Sequence, residues 1–165
     1  MDLKLTDGSN KFKCRVNAVI INEGKILTVE INHNESQCCP GGHVSLGESS
    51  AVAMERELLE ETGLKVKSQK LLCIIENFFG DEEEKYHELS FYYLVDVESL
   101  LDRDKDFSLV EDDHGKMTDL DFRWIEISKL DDDFRPYPLR DKLKAGNFSF
   151  EHIIYNDITK EKICM

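Results

Sequence analysis

The sequence predicts an α/β domain in which a mixed β-sheet is covered by helices on both faces. Three observations lead there. Apolar and β-branched runs recur along the chain and are separated by Asn, Gly and charged turn signals. One amphipathic helical pattern interrupts them near residues 50–62. A shorter helical pattern follows late, after most of the strands. A length of 165 residues with 41% hydrophobic content suits a single domain over residues 1–165 with its own core.

The elements follow in order. Residues 12–21, FKCRVNAVII, and 25–31, KILTVEI, flank the turn signal Asn22-Glu23-Gly24 and predict a hairpin. The polar stretch 32–37 is a loop. Cys38-Cys39-Pro40-Gly41-Gly42 cannot sit inside a regular element, and its glycines let backbone approach a ligand closely. Ser49 or Ser50 caps a helix that runs to about Thr62, with Gly63 as the residue past its end. Ala51, Met54 and Leu58 form its packing side. Residues 71–79, LLCIIENFF, and 87–97 predict two strands joined by a charged tip. Residues 98–120 are acidic and poorly patterned, and predict a long loop. Residues 121–127 predict a strand, 138–145 a helix with Pro138 in its first turn, and 148–157 a closing strand.

Composition narrows the function. A formal charge of −13 argues against a surface that grips nucleic acid or an anionic membrane, because both need clustered Lys and Arg. A small polyphosphate remains compatible if divalent cations lie between it and the acids. No run of apolar residues is long enough to span a bilayer, and the polar N-terminus lacks the apolar core of a signal peptide, so a cytoplasmic location is expected. The five cysteines form no CxxC pair and read as reduced thiols.

The helix near residues 50–62 carries the chemistry. Glu57, Glu60 and Glu61 stand at i, i+3 and i+4 and share one face beside the packing side. A solvated face is the usual reading of such a run. Like charges at this spacing repel, however, and carboxylates at the edge of a core need positive charge nearby. Arg56 supplies one unit, and a hard divalent cation with oxygen ligands would supply two more.

The spacing resembles the Nudix box, G-x5-E-x7-R-E-U-x-E-E-x-G-U with U a bulky aliphatic. Gly42, Glu48, Arg56, Glu57, Leu58, Glu60, Glu61, Gly63 and Leu64 fill it, and looser resemblance runs from about Arg15 to Ala145. The resemblance implies a Nudix-type α/β/α sandwich and a Mg²⁺- or Mn²⁺-dependent hydrolase. Its reaction would be cleavage of a pyrophosphate bond in a nucleoside diphosphate linked to another moiety. It implies metal ligation by Glu57, Glu60, Glu61 and the Gly41 carbonyl. Arg56 would orient a box glutamate, and Glu48 would support. Relatives place a further acid outside the box. Asp121 is favoured for it over Asp119, Glu111, Asp112 and Asp113, because it directly precedes FRW. The base that activates water stays open between the box and this segment.

No substrate mark stands out: an SQPWPFP run is absent, and Phe78-Phe79 occupies the place where the ADP-ribose type carries a proline. Phe79 and Tyr93 are the aromatic candidates for substrate contact. The expected partner is a small nucleotide-type substrate, and the resemblance adds homodimer formation. The alternative is a non-catalytic Nudix-fold module that binds or senses nucleotides. The intact Glu57, Glu60 and Glu61 favour catalysis.

Overall fold

The structure is a computed structural model, and it describes residues 1–113 and 116–165. Among the described residues the strands and helices are, in order, β1 (Lys4–Asp7), β2 (Asn10–Val19), β3 (Ile21–Asn22), β4 (Lys25–Ile31), β5 (Gln37–Cys38), α1 (Ser50–Thr62), β6 (Val66–Gly80), β7 (Lys85–Val97), β8 (Phe107–Asp113), β9 (Lys116–Glu126), α2 (Tyr137–Lys144), β10 (Glu151–Asn156) and β11 (Glu161–Cys164). A 3₁₀ turn at Ile127–Lys129 follows β9.

Strands form two sheets where one was expected. The first is mixed, in the order β1-β2-β7-β6-β10-β11. Within it β2 lies parallel to β7, and β10 lies parallel to β6. The second runs β3-β4-β9-β8, with β5 on β4. The expected hairpin of residues 12–21 with 25–31 is therefore reduced to Ile21 and Asn22 against Ile26 and Lys25. The chain leaves the first sheet at Ile20 and enters the second, so the apolar run that reads as one strand serves both sheets.

The helices cover opposite faces of the first sheet, as expected. Ala53, Met54 and Leu58 of α1 pack with Val16, Ala18, Tyr93 and Val95. Leu139 and Leu143 of α2 pack with Val19, Ile75, Tyr92 and Ile153. Neighbours such as Tyr92 and Tyr93 enter different cores because successive strand side chains point to opposite faces. The second sheet adds Leu27, Val29, Leu120 and Phe122 to the α1 core.

The ends of α1 follow its sequence. Ser49 Oγ accepts from the Val52 N–H at 3.3 Å, and Gly63, at φ 75°, donates its N–H to Leu59 O at 2.9 Å. Residues 107–113 and 116–120 lie in strands β8 and β9, not in a loop. In β8, Phe107 and Leu109 pack against the α1 core while Val110 is exposed. The acids between them hide this alternation in the sequence.

α2 is tied to β10 through Lys142, which is almost fully buried. Its Nζ donates to Ser149 O at 2.6 Å and to Glu151 Oε2 at 2.7 Å. The Lys142 hydrogen bond, above all, holds the Glu151 carboxyl below the usual glutamate range. A folded pKa below the unfolded one gives stability that is present above the unfolded value and is lost as pH falls through the folded value. Stability measured by urea denaturation should therefore drop as pH is lowered through and below the ordinary glutamate range. The Glu151→Gln variant should show a flatter profile over that interval.

Candidate active site

The Pro40–Val44 segment lies antiparallel against β2. Ala18 N–H donates to Pro40 O at 2.8 Å, Val16 N–H to Gly42 O at 3.0 Å, and Val44 N–H to Cys14 O at 3.0 Å. Both glycines stand at close approaches, Gly41 to backbone and Gly42 to a side-chain end. A Cβ on Gly41 would clash with the Val16 carbonyl and stand 2.8 Å from Asn17 Cα, and one on Gly42 would overlap the Glu57 carboxylate. The segment thus brings backbone directly onto the acidic edge of α1.

There Arg56 organises the carboxylates. Its Nη2 and Nε donate to Glu48 at 2.6 and 3.2 Å, and its Nη1 to Glu57 at 2.7 Å and Glu60 at 3.1 Å. Nη2 also donates to His43 O at 3.1 Å. Glu48 accepts a further bond from the Ser45 N–H at 2.7 Å. Hydrogen bonding to Glu48, first of all, raises the Arg56 pKa above its ordinary value. On the other side, Gly41 donates its N–H to Glu61 Oε2 at 3.0 Å, and its carbonyl accepts from Arg15 Nη2 at 3.1 Å.

This arrangement crowds carboxyl groups together and makes it costly to ionise them all. Burial pushes the Glu57 carboxyl up despite its bond to Arg56. Burial, with Glu57 beside it, pushes Glu61 up to about 8. Glu57, Glu60, Glu61, Arg56 and Gly41 line one cavity of about 360 Å³, and Glu111 of β8 closes it from the second sheet. Crowded, desolvated carboxylates with a free carbonyl lone pair are the oxygen-rich donor set that a hard divalent cation takes. The residues present fit such an ion.

Asp121 does not reach the cavity. Thr118 and Leu120 line it, so the alternation of β9 turns Asp119 and Asp121 to the opposite face. Asp121 instead accepts from Ser108 Oγ and lies 3.1 Å from His33 Nδ1. Glu111, paired with Thr118 across β8 and β9, is the acid that arrives. The side chains of Asp112 and Asp113 lie outside the described residues.

A second cavity of about 360 Å³ shares Arg15 and Ile31 with the first. Phe79 lines it, stacked on Tyr86 at 4.9 Å between centroids. Tyr93 does not line it: it is buried in the α1 core with its hydroxyl 2.8 Å from Ser50 Oγ. Its neighbour Tyr92 faces the cavity instead. Sequence reasoning also missed Arg15, Asn17, Asn77 and Glu88. A signal existed for the first two, because a charge and an amide at alternate positions of the apolar run CRVNAV mark a strand face that is not plain core.

The family model for the NUDIX domain matches residues 11–144. An ADP-ribose pyrophosphatase of Methanocaldococcus jannaschii is 34% identical over 85 residues, which is 50% of this chain and 49% of that protein. The chain thus matches about half the length of this curated relative. Among solved structures, a MutT protein from Bacillus halodurans superposes with a TM-score of 0.56 at 18% identity, covering 92% of this chain and 94% of that one. A MutT NUDIX hydrolase from Burkholderia pseudomallei gives 0.54 at 18% identity, covering 81% and 96%.

The Arg56 fork is open to test without any ligand. Arg56→Ala leaves Glu57 half-buried and unpaired, and should lower unfolding free energy by about 1–3 kcal/mol. Thermal and chemical denaturation of the metal-free protein check this, and unchanged stability would contradict the organising role.

Proposed function

The chain belongs to the NUDIX family, and on that premise we propose that it is a divalent-metal-dependent hydrolase of a pyrophosphate bond in a nucleoside diphosphate linked to another moiety. We take residues 1–165 as one catalytic domain. The observation that carries the reading is geometric: Glu57, Glu60, Glu61 and Gly41 meet at one cavity, where Glu61 accepts from the Gly41 N–H at 3.0 Å. A protein with no use for a cation there gains nothing from that crowding.

In this reading Glu57, Glu60, Glu61 and the Gly41 carbonyl hold Mg²⁺ or Mn²⁺. When bound, the cation supplies positive charge against the phosphate oxygens and makes attacking water more acidic. Arg56 fixes the Glu57 and Glu60 carboxylates in place, and Glu48 anchors Arg56 from behind. Arg15, at the junction of the two cavities, faces the diphosphate. Glu111 takes the role first sought in Asp121, accepting the proton of the attacking water from across the cavity. The second cavity receives the group next to the diphosphate, with Phe79 as its aromatic wall. The ADP-ribose pyrophosphatase among the relatives makes ADP-ribose the first compound to try.

Release of phosphate and nucleotide should be measured over a panel of nucleoside diphosphate derivatives with Mg²⁺. Glu57→Gln and Glu61→Gln should each lower kcat by about 10²–10⁴-fold, as for loss of a group acting directly on the reacting atoms. EDTA should abolish turnover. Turnover that resists EDTA and both substitutions would sink the assignment.

A further inference from the structure

Asp121, turned away from the catalytic cavity, meets other donors on the opposite face of the second sheet. Glu30 is its direct cross-strand partner in the pairing of β4 with β9. His33 stands just past the end of β4. One ligand atom from each of Glu30, His33 and Asp121 lies within 4.8 Å of the other two. The backbone sets up this meeting. Asn32 and His33 both take the left-handed region, at φ 51° and 55°, and turn the chain back over the strand. Asn32 donates its N–H to Asp119 O at 2.8 Å, and its Oδ1 accepts from the Asp119 N–H at 3.0 Å, so the turn is pinned to β9. His33 Nδ1 then lies 3.1 Å from Asp121 Oδ2, and its Nε2 lies 3.5 Å from Asp119 Oδ2. Ser108 Oγ donates to the other oxygen of Asp121, which leaves Oδ2 facing the imidazole.

A neutral imidazole carries one N–H and one lone pair. With a carboxylate oxygen beside each ring nitrogen, only one of the two contacts can be a hydrogen bond. The other sets a lone pair against an anion. A second proton or a metal ion on that nitrogen removes the conflict. Nδ1 is the metal side, because the Asp121 and Glu30 carboxylates converge with it there. Asp119 at Nε2 is then the outer carboxylate that metal-ligating histidines commonly carry on their other nitrogen. Against three carboxylates the same face offers Arg123, which is exposed and acts on Asp121 by charge alone. One imidazole nitrogen and two carboxylate oxygens, with positions left for water, suit Zn²⁺ or a similar first-row ion. Mg²⁺ prefers oxygen donors throughout.

We propose that Glu30, His33 and Asp121 form a second cation site that takes Zn²⁺ or a similar transition ion, with Asp119 and Ser108 positioning its ligands. The site lies across the second sheet from the glutamates of α1 and does not depend on the hydrolase reading. A cation there ties the turn after β4 to β9.

Calorimetric titration with Zn²⁺ under excess Mg²⁺ reads this site, first in the wild type and then in Glu57→Gln/Glu61→Gln, which lacks two of the carboxylates assigned to the other cation. One equivalent should bind in both. His33→Asn removes the imidazole but keeps a residue that tolerates the left-handed region. It and Asp121→Asn should each weaken Zn²⁺ binding by about a hundredfold or more, and Asp119→Asn by about tenfold, as for an outer partner of a ligating histidine. Zn²⁺ should raise the melting temperature of the wild type and not that of His33→Asn. Co²⁺ in place of Zn²⁺ should give a visible spectrum without the thiolate charge-transfer band that binding at a cysteine would show. No binding of Zn²⁺ means that His33 is a protonated ion-pair partner only, and overturns the proposal. So does an affinity that His33→Asn leaves unchanged, a thiolate band, or loss of the equivalent in Glu57→Gln/Glu61→Gln, which would place the ion at α1. The hydrolase reading stands or falls separately, on turnover.

Discussion

The site depends on one interaction, the fork that Arg56 extends to Glu48, Glu57 and Glu60. One guanidinium cannot neutralise all the carboxylates around it, but it can set where they point. It does so from a helix whose other side is core: Leu58 follows Glu57 directly and is fully buried. Packing therefore fixes the helix, and the helix fixes the acids. Gly42 adds to the constraint from outside, since a Cβ there would displace the Glu57 carboxylate from its present position. Carboxyl groups held together this way form an oxygen-rich donor set beside the Gly41 carbonyl.

The acidic helix was legible because its information is local. Cap, packing side, charge spacing and terminal glycine all lie between Ser49 and Gly63, and the structure places each as the spacing implies. The two helical layers were legible for the same reason. The second sheet was not. Its strands β4 and β9 meet through residues nearly a hundred positions apart, such as Thr28 and Arg123. β8 is masked further, because its polar positions are acids that read as loop.

The predicted site residues that lie off the two cavities, Tyr93 and Asp121, share one physical cause. A strand side chain has a two-residue address, and a shift by one exchanges core for cavity. Tyr93 and Tyr92 were separated by that single step, and so were Asp121 and Leu120. Proximity in sequence to a landmark such as Trp124 cannot decide between the two faces. Only the partner strand can, as when Thr118 fixes the side on which Glu111 emerges.

The crowding around Glu61 also bears on how the protein's durability relates to its task. A carboxyl that must be desolvated beside another acid works against folding whenever it is ionised. Substitutions that remove charge from this helix edge would relieve that repulsion while removing the carboxylates proposed to hold a cation. Selection for robustness and selection for use therefore pull this short segment in opposite directions. The acids persist in the sequence at the expense of a sturdier fold.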